Sequence, residues 1–267
     1  MSSLLQKIIK KGFKQVGIDL SSEVDVKKFE QVISSLDRIS FMLAKNVSED
    51  PAFDFLRFAS DKLTISHAQL FQDLFVLYTL NEKQNGFFVE FGATNGISLS
   101  NTYLLEQKYQ WTGIVAEPGK GWHHELRQNR KCIIDDRCVW TSTGQELVFF
   151  ETEIAELSTI KDYAETDYFS KERSERTEYR VKTISLNDLL ETNNAPRVID
   201  YLSIDTEGSE FEILNAFDFS KYKFAVITVE HNFSSMRSNI FDLLTANGYK
   251  RTLEKISAFD DWYIFAG

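Results

Sequence analysis

From position 86 onward the apolar residues fall in short unbroken runs, each followed by a turn and then by a stretch with helical spacing. Runs without polar alternation suit strands buried on both faces, as in a parallel sheet. The pattern predicts strands over 86–91, 112–117, 132–139, 197–204 and 223–230. Helices are expected over 98–108, 120–129, 185–191, 209–216 and 236–247, and a terminal hairpin over 249–255 and 259–265. Such alternation implies an α/β fold, doubly wound, with helices on both faces of a mainly parallel sheet. A helix is also expected from Asp61, as N-cap, to about Leu80. One insertion breaks the rhythm between Gly144 and about Tyr179. Leu147, Val148, Phe149 and Phe150 read as an added strand, and the charge-dense stretch 162–177 as a mobile flap.

Residues 1–60 differ in character and form a helical N-terminal extension to a domain over 61–267. Leu4, Leu5, Ile8, Ile9 and Phe13 recur at helical spacing opposite Lys7, Lys10, Lys11 and Lys14. A second amphipathic segment over 24–45 carries Val26, Phe29, Ile33, Leu36 and Ile39. The bland reading, a helix packed on the domain or on another subunit of a homodimer, outweighs peripheral contact with an anionic membrane.

Composition narrows the partners. With 30 basic and 40 acidic residues the net charge is −10, so no nucleic-acid partner is expected. Cys132 and Cys138 fall on one predicted strand, too far apart to bridge, and read as core thiols rather than zinc ligands. No apolar run reaches membrane-spanning length and no signal-peptide core is visible, so a cytoplasmic protein is expected, peripheral on the inner membrane face if the first helix lies on lipid.

The candidate chemistry sits at the strand ends. Phe87-Phe88-Val89-Glu90-Phe91 runs into Gly92-Ala93-Thr94-Asn95-Gly96, a strand feeding a glycine-containing turn and a helix. Gly92 permits close backbone approach and Gly96 a dihedral that a side chain resists. The third glycine of a dinucleotide turn is absent, and an acid before Gly-x-x-x-Gly suits S-adenosylmethionine, which has no pyrophosphate. Glu117, before Pro118 at the end of the second strand, stands where a carboxylate accepts from both hydroxyls of a ribose. A third strand ends in Asp205-Thr206-Glu207-Gly208-Ser209-Glu210.

Together with Ser66-His67-Ala68-Gln69-Leu70-Phe71-Gln72-Asp73 and Ser100-Asn101-Thr102-Tyr103-Leu104-Leu105-Glu106, these segments resemble the FkbM-type S-adenosylmethionine-dependent methyltransferases from about Ser66 to Gly267. The resemblance implies a Rossmann-like seven-stranded sheet ending on an antiparallel hairpin. It also implies O-methyl transfer to a hydroxyl of a sugar, glycan, glycolipid or natural product. Cofactor contacts are expected from Gln69, Glu90, Gly92, Ala93, Thr94, Asn95, Gly96, Ser100, Glu117, Pro118, Asp136 and Asp205. Glu90 either anchors the turn or contacts the methionine moiety, the bland alternative being that it caps loop amides. The adenine amino group goes to Asp136, with Asp135 and the backbone near Arg137 as alternatives. Gln72 and Asp73 are further candidates for the pocket wall.

Methyl transfer needs alignment and removal of the acceptor's proton. Asp205 and Glu207 after one strand, and Glu230 and His231 after the next, are the candidates. Either His231 acts as base, or Asp205, Glu230 and His231 hold Mg²⁺ or Mn²⁺, the metal-free version being favoured. The competing functions are a non-catalytic nucleoside-binding or scaffold protein of a glycan-assembly complex, and a nucleotide-sugar oxidoreductase, which the missing glycine disfavours.

Overall fold

The computed structural model describes residues 51–152, 158–160 and 176–267. The expected helices within 1–45 lie outside these residues, as does the expected flap apart from its last two positions. The chain divides into two compact units, Met1–Ser66 and His67–Gly267. In the first, helix α1 (Ala52–Ser60) buries Phe55 and Leu56 and ends at Asp61, whose backbone N–H donates to the Ala59 carbonyl. The single helix expected from Asp61 is therefore not formed. Asp61 closes one helix instead, and the next, α2 (Gln72–Thr79), starts only after Phe71 adopts a left-handed backbone at φ 67°.

The second unit holds the sheet. Its order is β10 (Tyr249–Thr252), β11 (Asp260–Phe265), β9 (Lys223–Glu230), β8 (Val198–Ile204), β1 (Phe87–Phe91), β2 (Thr112–Ala116) and β3 (Ile133–Asp135). From β9 to β3 every pairing is parallel, while β11 runs antiparallel to both β9 and β10. The sheet is doubly wound, mainly parallel and seven-stranded, and β1, β2, β8, β9 and β11 begin and end within a residue of the periodicity. Connecting helices are α3 (Tyr103–Tyr109), α4 (His123–Asn129), α5 (Leu186–Thr192), α6 (Glu210–Asn215) and α7 (Arg237–Ala246). Val89, Ile114, Leu202 and Ile227 from the central strands are fully buried in one core with Leu189, Leu214 and Leu244. Each contributes roughly 1.5–3 kcal/mol by leaving water.

The chain steps outward through β1, β2 and β3, then returns to lay β8 on the other side of β1. Where the winding direction reverses, the carboxyl ends of β1 and β8 open a crevice.

Two expectations fail around the third strand. The run 132–139 splits into β3 and β4 (Cys138–Trp140), and β4 leaves for a second sheet of order β4, β7 (Arg176–Ser185), β5 (Glu146–Thr152), β6 (Thr159–Ile160). The break lies at Asp135, whose carboxylate accepts from the Arg137 backbone N–H at 2.9 Å and pairs with the Arg137 guanidinium at 2.6 Å. Cys132 and Cys138 thus do not share a strand; both are free thiols. The insertion is also more regular than expected, since β5 pairs antiparallel with β7 along its whole length.

Candidate active site

The turn after β1 is built for close approach. Gly92 has φ 76°, and a Cβ there would stand 2.1 Å from the Asp205 carbonyl oxygen, so any side chain would force β1 and β8 apart at their tips. Gly96 has φ 81°, with Leu126 and the aliphatic part of Arg130 where a Cβ would go. Between them, Asn95 Oδ1 accepts from the backbone N–H groups of Ile97 and Ser98, which closes the loop on itself.

Glu117 extends from the end of β2 into the same crevice. It accepts from Gly119 N–H at 2.7 Å and from Thr94 N–H at 2.8 Å, and so ties the second strand tip to the first turn. It is nonetheless 5% exposed, and burial pushes its pKa up to about 7, against the pull of those two N–H groups.

Glu90 lies one layer below. Its carboxylate takes Asn101 N–H at 2.7 Å, the Thr102 hydroxyl at 2.6 Å and the Ser100 hydroxyl at 3.1 Å, with Arg130 Nη1 at 3.3 Å. The arrangement matches the loop-capping alternative for Glu90, and it explains why the segment 98–102 is a loop rather than the first turn of α3. Arg130 is the cation of this interior. It pairs with both Glu90 and Glu106, and Glu106 in turn accepts from the backbone N–H groups of Lys131 and Cys132. Nothing in a lone arginine after a helix announces that role.

Three carboxylates meet at the other wall. Oxygens of Asp205, Glu207 and Glu230 lie within 4.8 Å of one another. Burial pushes Asp205 up to about 6, and it pushes Glu230 well above the usual range, reinforced by the negative charges of Asp205 and Glu207. A side-chain hydrogen bond between the two pulls Asp205 down and pushes Glu230 further up. Glu230 Oε2 also accepts from Asn232 Nδ2 at 2.8 Å. The set is all oxygen, of the kind Mg²⁺ or Mn²⁺ accepts.

His231 does not join it. Its Nδ1 accepts from Phe233 N–H at 3.0 Å, which leaves the proton on Nε2, 3.8 Å from Asp261. Asp261 is held bidentately by Arg237, at 2.9 and 2.7 Å. Burial pulls the imidazole down to about 4, so it is neutral near pH 7. The chain turns sharply after β9, with φ 43° at Asn232 and 56° at Phe233, and His231 is not among the carboxylates gathered at Asp205. Glu207 stands where the metal-binding reading had His231.

These walls enclose a cavity of about 200 Å³. Of the expected site residues, Gln69, Gly92, Thr94, Glu117, Pro118, Asp205, Glu207 and Glu230 line it. Ala93, Asn95, Gly96 and Ser100 shape its turn without facing it. Asp136 points elsewhere: it is exposed and paired with Arg127, and the wall beside it is Cys138 and Val139 from β4. Gln72 and Asp73 serve the loop before α2, Gln72 bridging Leu70 N–H and Asp260, and Asp73 accepting from His67 N–H. Sequence reasoning missed three apolar wall residues: Phe149 of β5, Ile160 of β6 and Phe259 in the turn before β11. No lysine or arginine lines the cavity among the described residues.

No curated protein sequence matches the chain. Solved structures that are similar include a methyltransferase FkbM from Methylobacillus flagellatus KT, at 11% identity and a TM-score of 0.41, covering 79% of this chain and 58% of that one. A Precorrin-6y C5,15-methyltransferase from Geobacter metallireducens GS-15 is similar at 11% identity and a TM-score of 0.35, covering 67% of this chain and 71% of that one. The model of the methyltransferase FkbM domain matches residues 90–251, more than half of the sequence, and the chain belongs to that family of methyltransferases.

Proposed function

We propose that this methyltransferase uses S-adenosylmethionine and methylates a hydroxyl of a sugar, in a glycan, a glycolipid or a natural product. The observation that carries the cofactor is the chemistry of the cavity: a buried carboxylate at the tip of β2, further acids opposite, and no cationic side chain among the described lining residues. A pyrophosphate would face these acids with no cationic side chain among the described lining residues, which argues against a dinucleotide or a nucleotide sugar. A cationic ligand with a ribose diol finds several partners.

S-Adenosylmethionine, when bound, supplies a methyl group on a positively charged sulfur. Glu117 would accept from the ribose hydroxyls, with Thr94 and Pro118 beside it. Phe149, Ile160, Cys138 and Val139 offer an apolar slot for the base. Asp205, anionic at neutral pH yet more basic than an ordinary carboxylate, would take the proton of the acceptor hydroxyl while Glu230 donates to it and Glu207 stands alongside.

The preference for a hydroxyl acceptor rests on these oxygen bases and on the family. Calorimetry tests the cofactor: S-adenosylhomocysteine should bind, while NAD and nucleotide sugars should not. Binding of NAD in preference would overturn the reading. Turnover that chelation abolishes and Mg²⁺ restores would convert the three carboxylates from base to metal ligands.

A further inference from the structure

A second cavity of about 230 Å³ adjoins the first at Glu207 and Glu230, and Glu117 is not among its lining residues. Glu207, Glu230 and Asn232 line both cavities, so the two share the wall that carries the proposed base. The rest of the second lining comes largely from the turn after β9 (His231, Ser234, Ser235, Met236) and from α6 (Glu210, Glu212).

Two features mark this cavity as more than a gap in packing. His231 is 3% exposed, and its Nε2 has no hydrogen-bond partner. Glu212 Oε2 is likewise buried without a partner. Buried polar atoms in native proteins are nearly always satisfied, so a donor and an acceptor left open in one lining await something polar. Second, Phe233 falls in sequence between the lining residues Asn232 and Ser234, does not itself line the cavity, and is 70% exposed. A bulky residue at φ 56° is uncommon, and this one is pinned: its N–H donates to His231 Nδ1, and its ring meets the imidazole edge-to-face at 5.4 Å. The turn thus holds a large apolar ring out in water beside a cavity of hydroxyl and carboxyl groups.

We propose that this second cavity is the acceptor subsite, and that it takes an uncharged saccharide whose hydroxyls bond to the Glu212 and Asn232 side while an apolar C–H face lies on the Phe233 ring. The inference rests on the methyltransferase reading above and deepens it by placing the acceptor and fixing its charge. A polyol offers donors to carboxylates, and the alternating apolar face of a pyranose suits an aromatic platform. No lysine or arginine lines the cavity among the described residues, so a phosphate or carboxylate substituent would be desolvated against acids without a counter-charge. Phe233 is then a specificity-determining residue of the acceptor side and takes no part in holding the cofactor.

The test uses full-length protein saturated with S-adenosylhomocysteine and ligand-observed saturation-transfer NMR. The probes are methyl glycosides of common neutral hexoses and deoxyhexoses, with the uronic acid and the 6-phosphate of the same sugars. Neutral glycosides should show contact on their C–H protons, and the anionic forms should show none. Phe233→Ala should reduce the neutral signal about tenfold and Phe233→Trp restore it, with affinity for S-adenosylhomocysteine unchanged in both. Equal or better binding of the anionic forms, a signal indifferent to Phe233→Ala, or no neutral glycoside bound while S-adenosylhomocysteine binds normally would each overturn the acceptor subsite and leave the cofactor reading standing. Failure of S-adenosylhomocysteine itself to bind would instead overturn the function on which the subsite rests.

Discussion

Glu117 offers the sharpest test, because the proposed function asks a buried carboxylate to do something that destabilises the free protein. Its pKa rises from 4.5 to about 7 on folding. For an acid raised in the folded state, the stabilising condition is the protonated one: full stability holds below the unfolded value and is lost as pH climbs through the folded value. Integrating one such group between pH 5 and pH 8 gives a loss of about 2.5 kcal/mol in the wild type. Glu117→Gln cannot titrate. Whatever constant penalty the amide incurs against Gly119 and Thr94 N–H, its stability relative to wild type should therefore improve by about 2.5 kcal/mol from pH 5 to pH 8. Urea denaturation at the two pH values reads this difference directly. Binding should run the other way. Ribose hydroxyls favour the carboxylate, so wild-type affinity for S-adenosylhomocysteine should fall toward tenfold per unit as pH drops below about 7. Calorimetry in buffers of different ionisation enthalpy should show proton release near neutrality. Glu117→Gln should bind one to two decades more weakly (about 1.5–3 kcal/mol), without that pH dependence. A stability difference equal at both pH values would refute the buried, raised carboxylate. Unchanged affinity would remove Glu117 from the ribose site.

Gly92→Ala should cost roughly 3 kcal/mol or more in thermal or urea unfolding and abolish S-adenosylhomocysteine binding, since the Asp205 carbonyl occupies the place of the new methyl group. Arg130→Met leaves Glu90 and Glu106 buried without their cation and should destabilise by about 3–5 kcal/mol in urea titration; Arg130→Lys should not recover it, because one ammonium cannot span both carboxylates. Asp205→Asn should lower kcat by roughly 10²–10⁴ with cofactor affinity nearly intact, and wild-type kcat/KM should fall as pH drops below about 6, measured by release of S-adenosylhomocysteine. His231 should remain neutral to near pH 5 by NMR titration, with the proton on Nε2.

Much of this molecule is legible in one dimension. Buried parallel strands need unbroken apolar runs and helices need their own spacing, so β1, β2, β8 and β9 fall where periodicity puts them. The acid and glycines at their tips are equally visible, because tight turns and ligand diols restrict which residue types serve. Glu117 and Gly92, picked out on that basis, line one cavity. What sequence left open depends on distances between segments remote along the chain. A single apolar run, 132–139, is shared between two sheets because the Asp135–Arg137 pair bends it, and no period reveals a bend. Arg130 becomes the buried hub only when α3, α4 and β1 converge on it. His231, the obvious base by residue type, lies with Nε2 3.8 Å from Asp261, and the groups clustered with Asp205 are Glu207 and Glu230, a juxtaposition no sequence spacing shows. Residue identity determines which chemistry is available at a strand tip. Only the tertiary structure decides which side chains share a cavity, since backbone turns and burial set both direction and protonation state.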